Sequence, residues 1–305
     1  MSLDGYLREN REMRNVLAAL FLFPVLTLGA WCEDSTPGDF KSKVAIAQMR
    51  GVPIKWDVHA NMATFVSQAT AAGAEHPDIF ITPECWLDGY AAPDPASTRE
   101  KLLAVAQPLE GSPYLDQVAA LAKQHQMWIC FGFSSVEDGK LFNSSGLWNR
   151  EGKLVGVYHK THIQTHDVQY DLGMGLPVWD SEWGKLGMMI CADRRWPETV
   201  RTLRIQGARL ILNPTYGMHG EMNLKVMQVR AWENQCFIAF THPQQSLLIN
   251  PKGDAVLQVD GDTPGYSITT IDLSEARDDN HLRDRRPELY GEISAGTFAP
   301  EPQHP

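Results

Sequence analysis

Residues 185–198 read KLGMMICADRRWPE, and the way this stretch folds decides the rest of the chain. Its first part, KLGMMI, is a short apolar run of strand type. Pro197 directly after Trp196 has the form of a helix opening, because proline fits a first helical turn. Cys191 therefore stands at a strand-to-helix junction, where a side chain can project into a cleft at the strand's carboxyl end. Backbone N–H groups of the next turn point the same way and favour both a thiolate and an oxyanion. The plainer alternative is a small buried hydrophobe at a strand end, the usual place of a free cysteine.

Working outward, residues 43–49 (KVAIAQM), 78–82 (DIFIT), 127–133 (MWICFGF), 209–212 and 237–241 read as strands. Residues 141–149 and 153–158 form a hairpin about Arg150-Glu151-Gly152, and 246–249 with 255–259 form another about Pro251-Lys252-Gly253. Asp57 caps a helix whose Val58, Met62, Phe65, Val66 and Ala69 follow the helical period. Ser112-Pro113 opens a second helix, Pro197 a third, and residues 221–234 a fourth. This alternation predicts one α/β or mixed domain over residues 41–275. Residues 276–305, with Arg283, Arg285, Arg286 and Pro287, read as an extended tail against the surface or a partner subunit. Cys130 and Cys236 lie inside apolar strands and read as core.

The chain has 305 residues, 43% hydrophobic and 21% charged, which excludes a disordered or collagen-like protein. Its 27 Lys+Arg against 37 Asp+Glu give a net charge of −10, and no basic block is present, so a nucleic-acid partner is excluded as well. Five cysteines are too few for a disulfide scaffold. Residues 16–31 (VLAALFLFPVLTLGAW) follow Arg14 and precede a polar run, the layout of a secretory signal. The expectation is a leader over 1–40 with a signal peptide at 13–32, and export to a periplasmic or extracellular space. Without a signal function the protein would be cytoplasmic. An uncleaved leader would be its one route to a membrane, and a buried terminal helix is the other alternative.

Two more residues draw attention. Glu84 follows Pro83 at the end of DIFIT, where a carboxylate is costly unless paired or used, although an exposed loop acid is the common case. Near a cysteine it could take the thiol proton and return it to a leaving amine. Lys160 ends a strand in Tyr158-His159-Lys160-Thr161-His162; usually a solvated charge, it could instead pair with Glu84 and hold an oxyanion.

Glu84 in TPECWLDGY, Lys160 in YHKTHI and Cys191 in GMMICADRRWPE together resemble the signature blocks of the nitrilase (carbon–nitrogen hydrolase) superfamily, in that family's order. Phe142-Asn143-Ser144, the run Arg230-Ala231-Trp232-Glu233-Asn234, and SLLINPKG at 246–253 extend the likeness over most of residues 44–259. The resemblance implies a four-layer αββα sandwich, a covalent thioester mechanism without cofactor or metal, and a homodimer or larger homo-oligomer. It makes Cys191 the nucleophile, Glu84 the general base and acid, and Lys160 the stabiliser of the tetrahedral intermediate. The backbone N–H of Ala192 becomes an oxyanion donor. Many members add a second glutamate after the lysine; Asp171 is the candidate here, either as a shorter substitute or as a surface acid.

The string CADRRWPET is similar to that of N-carbamoyl-D-amino-acid amidohydrolases, in which paired arginines hold a substrate carboxylate. Arg194 and Arg195 inherit that role by resemblance, with an internal ion pair to Asp193 or Glu198 as the competing use. Tyr216 stands where that group has an asparagine, and its ring would reshape the pocket. The expected substrate is a small amide or ureido compound, cleaved with release of ammonia; a nitrile is the chemical alternative. His159, His162 and His166 raise a different class, a metal-dependent hydrolase, and a non-catalytic binding protein is a third.

Overall fold

The computed structural model describes residues 40–294, so the signal peptide expected over residues 13–32 lies outside the described residues. One sheet holds β1 (Lys43–Arg50), β2 (Ile79–Ile81), β3 (Gln107–Pro108), β4 (Trp128–Glu137), β5 (Lys140–Trp148), β6 (Leu154–His159) and β13 (Gly265–Asp272). Its order is β13-β1-β2-β4-β5-β6, with β3 beside β4. The other holds β7 (Val178–Ser181), β8 (Gly184–Met188), β9 (Ala208–Pro214), β10 (Phe237–His242), β11 (Gln245–Ile249) and β12 (Ala255–Asp260), in the order β12-β11-β10-β9-β8-β7.

The strands β1, β2 and β4, like β8, β9 and β10, pair in parallel where helices connect them. Such strands are covered on both faces, and alternate side chains divide between two cores. Val44, Ile46, Ile79, Ile81 and Cys130 meet Leu186, Met188, Leu210, Leu212 and Ala239 between the sheets. Their neighbours Ala47, Phe80, Ile129 and Phe131 turn outward onto Met62, Phe65 and Ala69 of α1 (Val58–Gly73) and onto Val118 of α3 (Pro113–His125). On the other side Ile211, Ile238 and Phe240 receive Val200 and Leu203 of α4 (Pro197–Ile205) and Met227 and Ala231 of α5 (Glu221–Asn234). The result is the four-layer αββα sandwich. Phe65 sits 4.7 Å from Phe131 and 6.0 Å from Phe80, ring centre to ring centre; cutting it to alanine would cost about 3–5 kcal/mol.

Gln48 of β1 is the polar pin between the sheets. Its buried amide donates to the carbonyls of Phe240 (2.7 Å) and Leu247 (3.1 Å) across the interface. The caps read from the sequence are in place: Asp57 accepts from Ala60 N–H and Ser112 from Leu115 N–H. Four elements are not anticipated by the sequence reading: α2 (Arg99–Val105), the two-residue β3, β7, and β13, which runs antiparallel along the whole of β1.

Within the described part of the tail expected to be extended, residues 276–294, the chain forms short helical turns instead, α6 (Asn280–Arg283), a 3-10 turn (Pro287–Leu289) and α7 (Gly291–Ser294). Arginines of α4 explain this: Arg201 donates to the His281 carbonyl at 2.8 Å and Arg204 pairs with Asp278, so the backbone is drawn in and capped locally. Among the described residues no helix is long and apolar enough to cross a membrane.

Candidate active site

The apolar strands that build the inter-sheet core end together, and three of these ends carry the residues singled out by sequence. Glu84 follows β2 in a turn that sits directly on β4. Gly132 makes this possible, since a Cβ there would come within 2.5 Å of the Pro83 carbonyl oxygen. Cys85, next in the chain, takes a left-handed φ of 42°. Lys160 follows β6, and its N–H donates to the Asn143 carbonyl of β5. Cys191 opens the 3-10 turn after β8 with a φ of 46°. A non-glycine residue held there stores about 1 kcal/mol of strain, which the surrounding bonds must offset.

The three side chains converge. Lys160 Nζ stands 2.8 Å from Glu84 Oε1, and both side chains are completely buried. Asn143 Nδ2 donates to the same oxygen at 2.8 Å, while the Tyr216 N–H donates to Oε2 at 2.9 Å. The Cys191 sulfur belongs to the same electrostatic group. Burial and the Glu84 carboxylate push its thiol pKa up, against a weaker pull from Lys160, Arg194 and the Tyr216 N–H. Burial thus favours the neutral thiol of Cys191 over its thiolate, in a neighbourhood where the Glu84 carboxylate could act as a base. Burial alone would lower the lysine, but Glu84, Cys191 and Asp167 outweigh it and hold the ammonium well above its usual range.

The second acid is Asp167, not Asp171. Asp167 Oδ2 lies 2.5 Å from Lys160 Nζ, and its Oδ1 accepts from the Tyr90 hydroxyl at 2.9 Å. Asp171 is carried outward, where it pairs with Arg99 of α2 at 2.6 Å and accepts from the Leu141 N–H. That arginine, above all, holds the Asp171 carboxyl below its usual range. The cause of the displacement is a turn: Asp167 N–H bonds to the Gln164 carbonyl and Tyr170 N–H to that of Asp167, folding the loop back on the lysine. With two of its three donors on carboxylates, Lys160 can aim the third at an oxyanion. Ala192 occupies the start of the 3-10 turn, where N–H groups lack acceptors within the turn.

The two arginines part company. Arg194 is buried; Nε donates to Asn223 Oδ1 (2.7 Å) and Nη2 to the Met218 carbonyl (2.6 Å), while Nη1 is buried with no partner among the described residues. Arg195 points to the surface and donates to Gln164 at 2.6 Å, outside the site. Neither pairs with Asp193, whose carboxylate serves Tyr158, Thr161 and His162. Tyr216 stacks on Tyr90 with ring centres 4.8 Å apart, and Gly217 lies against the Cys191 sulfur. A Cβ on Gly217 would lie 3.1 Å from Cys191 Sγ.

His242 was not anticipated. Its Nε2 donates to the Tyr216 carbonyl at 2.6 Å while Nδ1 accepts from the Gln244 N–H, which fixes a neutral tautomer. Burial, helped by the charge of His219, lowers its pKa to about 3. The loop histidines go separate ways: His159 to Ser144, His162 to Asp193, His166 to the Tyr90 hydroxyl. Among the described residues no group of three or more His, Cys, Asp or Glu is arranged to hold a metal ion. Cys130 and Cys236 are buried in the core, and burial pushes the Cys236 thiol up to about 12.

Residues 43–280 match the family model described as "Carbon-nitrogen hydrolase". The chain is 30% identical over 281 residues to the "Hydrolase in pqqF 5'region" of Pseudomonas protegens, covering 85% of this chain and 94% of that one. It is 26% identical to the citrullinase of Francisella tularensis (82% and 97% covered) and 27% to an (R)-stereoselective amidase of Pseudomonas sp. (82% and 93%). An amidase from Nesterenkonia sp. AN1 has a similar fold, with a TM-score of 0.70 at 20% identity over 84% of this chain and 98% of that one. With Glu84, Lys160 and Cys191 gathered at the strand ends of an αββα sandwich, the chain belongs to the carbon–nitrogen hydrolase family of the nitrilase superfamily and is a hydrolase acting on carbon–nitrogen bonds.

Proposed function

We propose that the enzyme hydrolyses a small amide or N-carbamoyl compound that carries a carboxylate, through a thioester on Cys191, with release of ammonia. The observation that carries the substrate class is Arg194: a buried guanidinium beside the nucleophile with Nη1 unpartnered and no carboxylate on its other nitrogens. A buried cation of this kind is costly until an anion joins it. The relative named citrullinase fits the same chemistry, since citrulline carries both a ureido group and a carboxylate.

In the proposed reaction Glu84 takes the Cys191 proton and the thiolate adds to the carbonyl carbon. The oxyanion is received by the free N–H of Lys160 and the backbone N–H of Ala192. The carbon–nitrogen bond breaks as Glu84 returns its proton, and ammonia leaves. Water, deprotonated by Glu84, then adds to the thioester and expels the thiolate, which takes the proton back. From an N-carbamoyl substrate the released carbamic acid falls apart to carbon dioxide and an amine. Asp167 keeps Lys160 charged and aimed throughout.

The test is ammonia release across N-carbamoyl amino acids, N-carbamoyl amines, neutral amides and nitriles, repeated with Arg194→Met and Arg194→Lys. Loss of the charged Nη1 contact should raise KM for carboxylate-bearing substrates about 10–100-fold and leave neutral amides within about threefold. Equal effects on both kinds of substrate would remove the carboxylate assignment.

A further inference from the structure

Asp193 is a buried carboxylate that the reaction above leaves without a task. It accepts five hydrogen bonds: Oδ1 from Thr161 Oγ1 (3.0 Å), His162 N (2.9 Å) and His162 Nδ1 (2.8 Å), and Oδ2 from the Tyr158 hydroxyl (2.7 Å) and Ile190 N (2.9 Å). The donors fall into two sets. Tyr158, Thr161 and His162 bracket Lys160 on both sides along the chain, and Ile190 immediately precedes Cys191. A single side chain thus holds the loop that carries the ammonium and the turn that carries the sulfur. The two segments belong to different sheets, β6 to the first and β8 to the second.

We infer that Asp193 is a positioning residue that fixes Lys160 relative to Cys191, through bonds to the residues flanking each. The carboxylate suits the task because all five donors converge on one acceptor-only group, which no neutral side chain can satisfy. Its grip on Ile190 also supports the left-handed φ of 46° at Cys191, a conformation that persists only where its surroundings over-determine it. The clasp is closed from outside by His162, whose ring stacks on Trp196 with centres 4.0 Å apart and planes 10° from parallel. Displacement of a catalytic group by about 1 Å can cost about a hundredfold in rate, so the clasp bears on turnover rather than on substrate binding.

The inference rests on Lys160 and Cys191 acting together as proposed above, so one readout is taken without turnover. Three variants are compared, Asp193→Asn, Tyr158→Phe and the double variant Tyr158→Phe/Thr161→Val. The measurements are kcat, KM, and the pH dependence of Cys191 alkylation by iodoacetamide located by peptide mass spectrometry. Asp193→Asn should lower kcat at least about tenfold with KM within about twofold, and the double variant should follow in the same sense. The alkylation curve should move to higher pH, because a misplaced Lys160 pulls less on the thiol; simple removal of a negative charge would move it lower. Should Asp193→Asn fail to fold, the neutral double variant decides. Folded variants with wild-type kcat and an unmoved alkylation curve overturn the inference. Failure of iodoacetamide to reach Cys191 in the wild-type enzyme would instead overturn the thioester reading itself.

Discussion

The Lys160 ammonium and the Glu84 carboxylate meet at 2.8 Å with both side chains sealed from water. A buried pair of this kind contributes little net stability, since desolvation consumes most of the Coulomb gain. Its consequence is chemical: the ammonium is fixed in place before substrate arrives, and in the proposed reaction it need not reorganise as the oxyanion forms. Removing one partner leaves the other uncompensated. Lys160→Met is expected to lower kcat at least about a thousandfold, measured by ammonia release, with a drop in stability of about 3–5 kcal/mol by urea titration. A variant with near-wild-type kcat would show that the ammonium takes no part.

Asp167 and Asp171 give a second, discriminating pair. Asp167→Asn should cut kcat at least about tenfold, since it weakens the hold on the ammonium. Asp171→Asn breaks a half-exposed bond to Arg99, and should leave kcat within about twofold and cost at most about 1 kcal/mol. Steady-state kinetics on the two purified variants decides between them.

The difference also marks what the sequence can convey. Strand ends after DIFIT and KLGMMI are legible because short β-branched and apolar runs stop sharply at Pro83 and Cys191, and the residues at those ends, Glu84 and Cys191, are the ones the family resemblance singles out. Asp167 was not legible because spacing along a loop says nothing of how it turns; two backbone bonds at Gln164 and Asp167 reverse the register. The partner that takes Asp171 away, Arg99, lies in a helix too short to show a periodic signal. Likewise β13 is rich in threonine and polar residues and becomes a strand only by pairing with β1. Of the two adjacent arginines, only the tertiary fold separates the buried one from the exposed one.

Gly217 offers a test of the space above the sulfur. Gly217→Ala would bring a methyl group to 3.1 Å from Cys191 Sγ, tighter than ordinary contact. We expect a fall of about tenfold or more in kcat/KM, with melting temperature shifted by no more than a few degrees, about 1 kcal/mol. An unchanged kcat/KM would mean that the sulfur attacks from another side.

His242 makes stability depend on pH in a stated direction. Its folded pKa is about 3, below the ordinary histidine value of 6.5, so the unfolded chain binds a proton that the folded one refuses. The stabilisation is complete above about pH 6.5 and is lost as pH falls towards 3, at about 1.4 kcal/mol per pH unit. His242→Gln keeps a donor for the Tyr216 carbonyl and removes the titration. Urea denaturation of both proteins between pH 7 and pH 4, values at which histidine ionisation spans its usual range, should give a flatter curve for the variant. Parallel curves would contradict the neutral, buried histidine.

The proposed thioester joins substrate to Cys191, one of four buried free cysteines among the described residues. Mass spectrometry of enzyme quenched in acid during turnover detects such a bond. An acyl or carbamoyl mass increment is expected on the peptide containing Cys191, disappearing as substrate is exhausted and absent from Cys191→Ala. Turnover by Cys191→Ala above about a tenth of the wild-type rate, or an increment on Cys85, Cys130 or Cys236 instead, would contradict it.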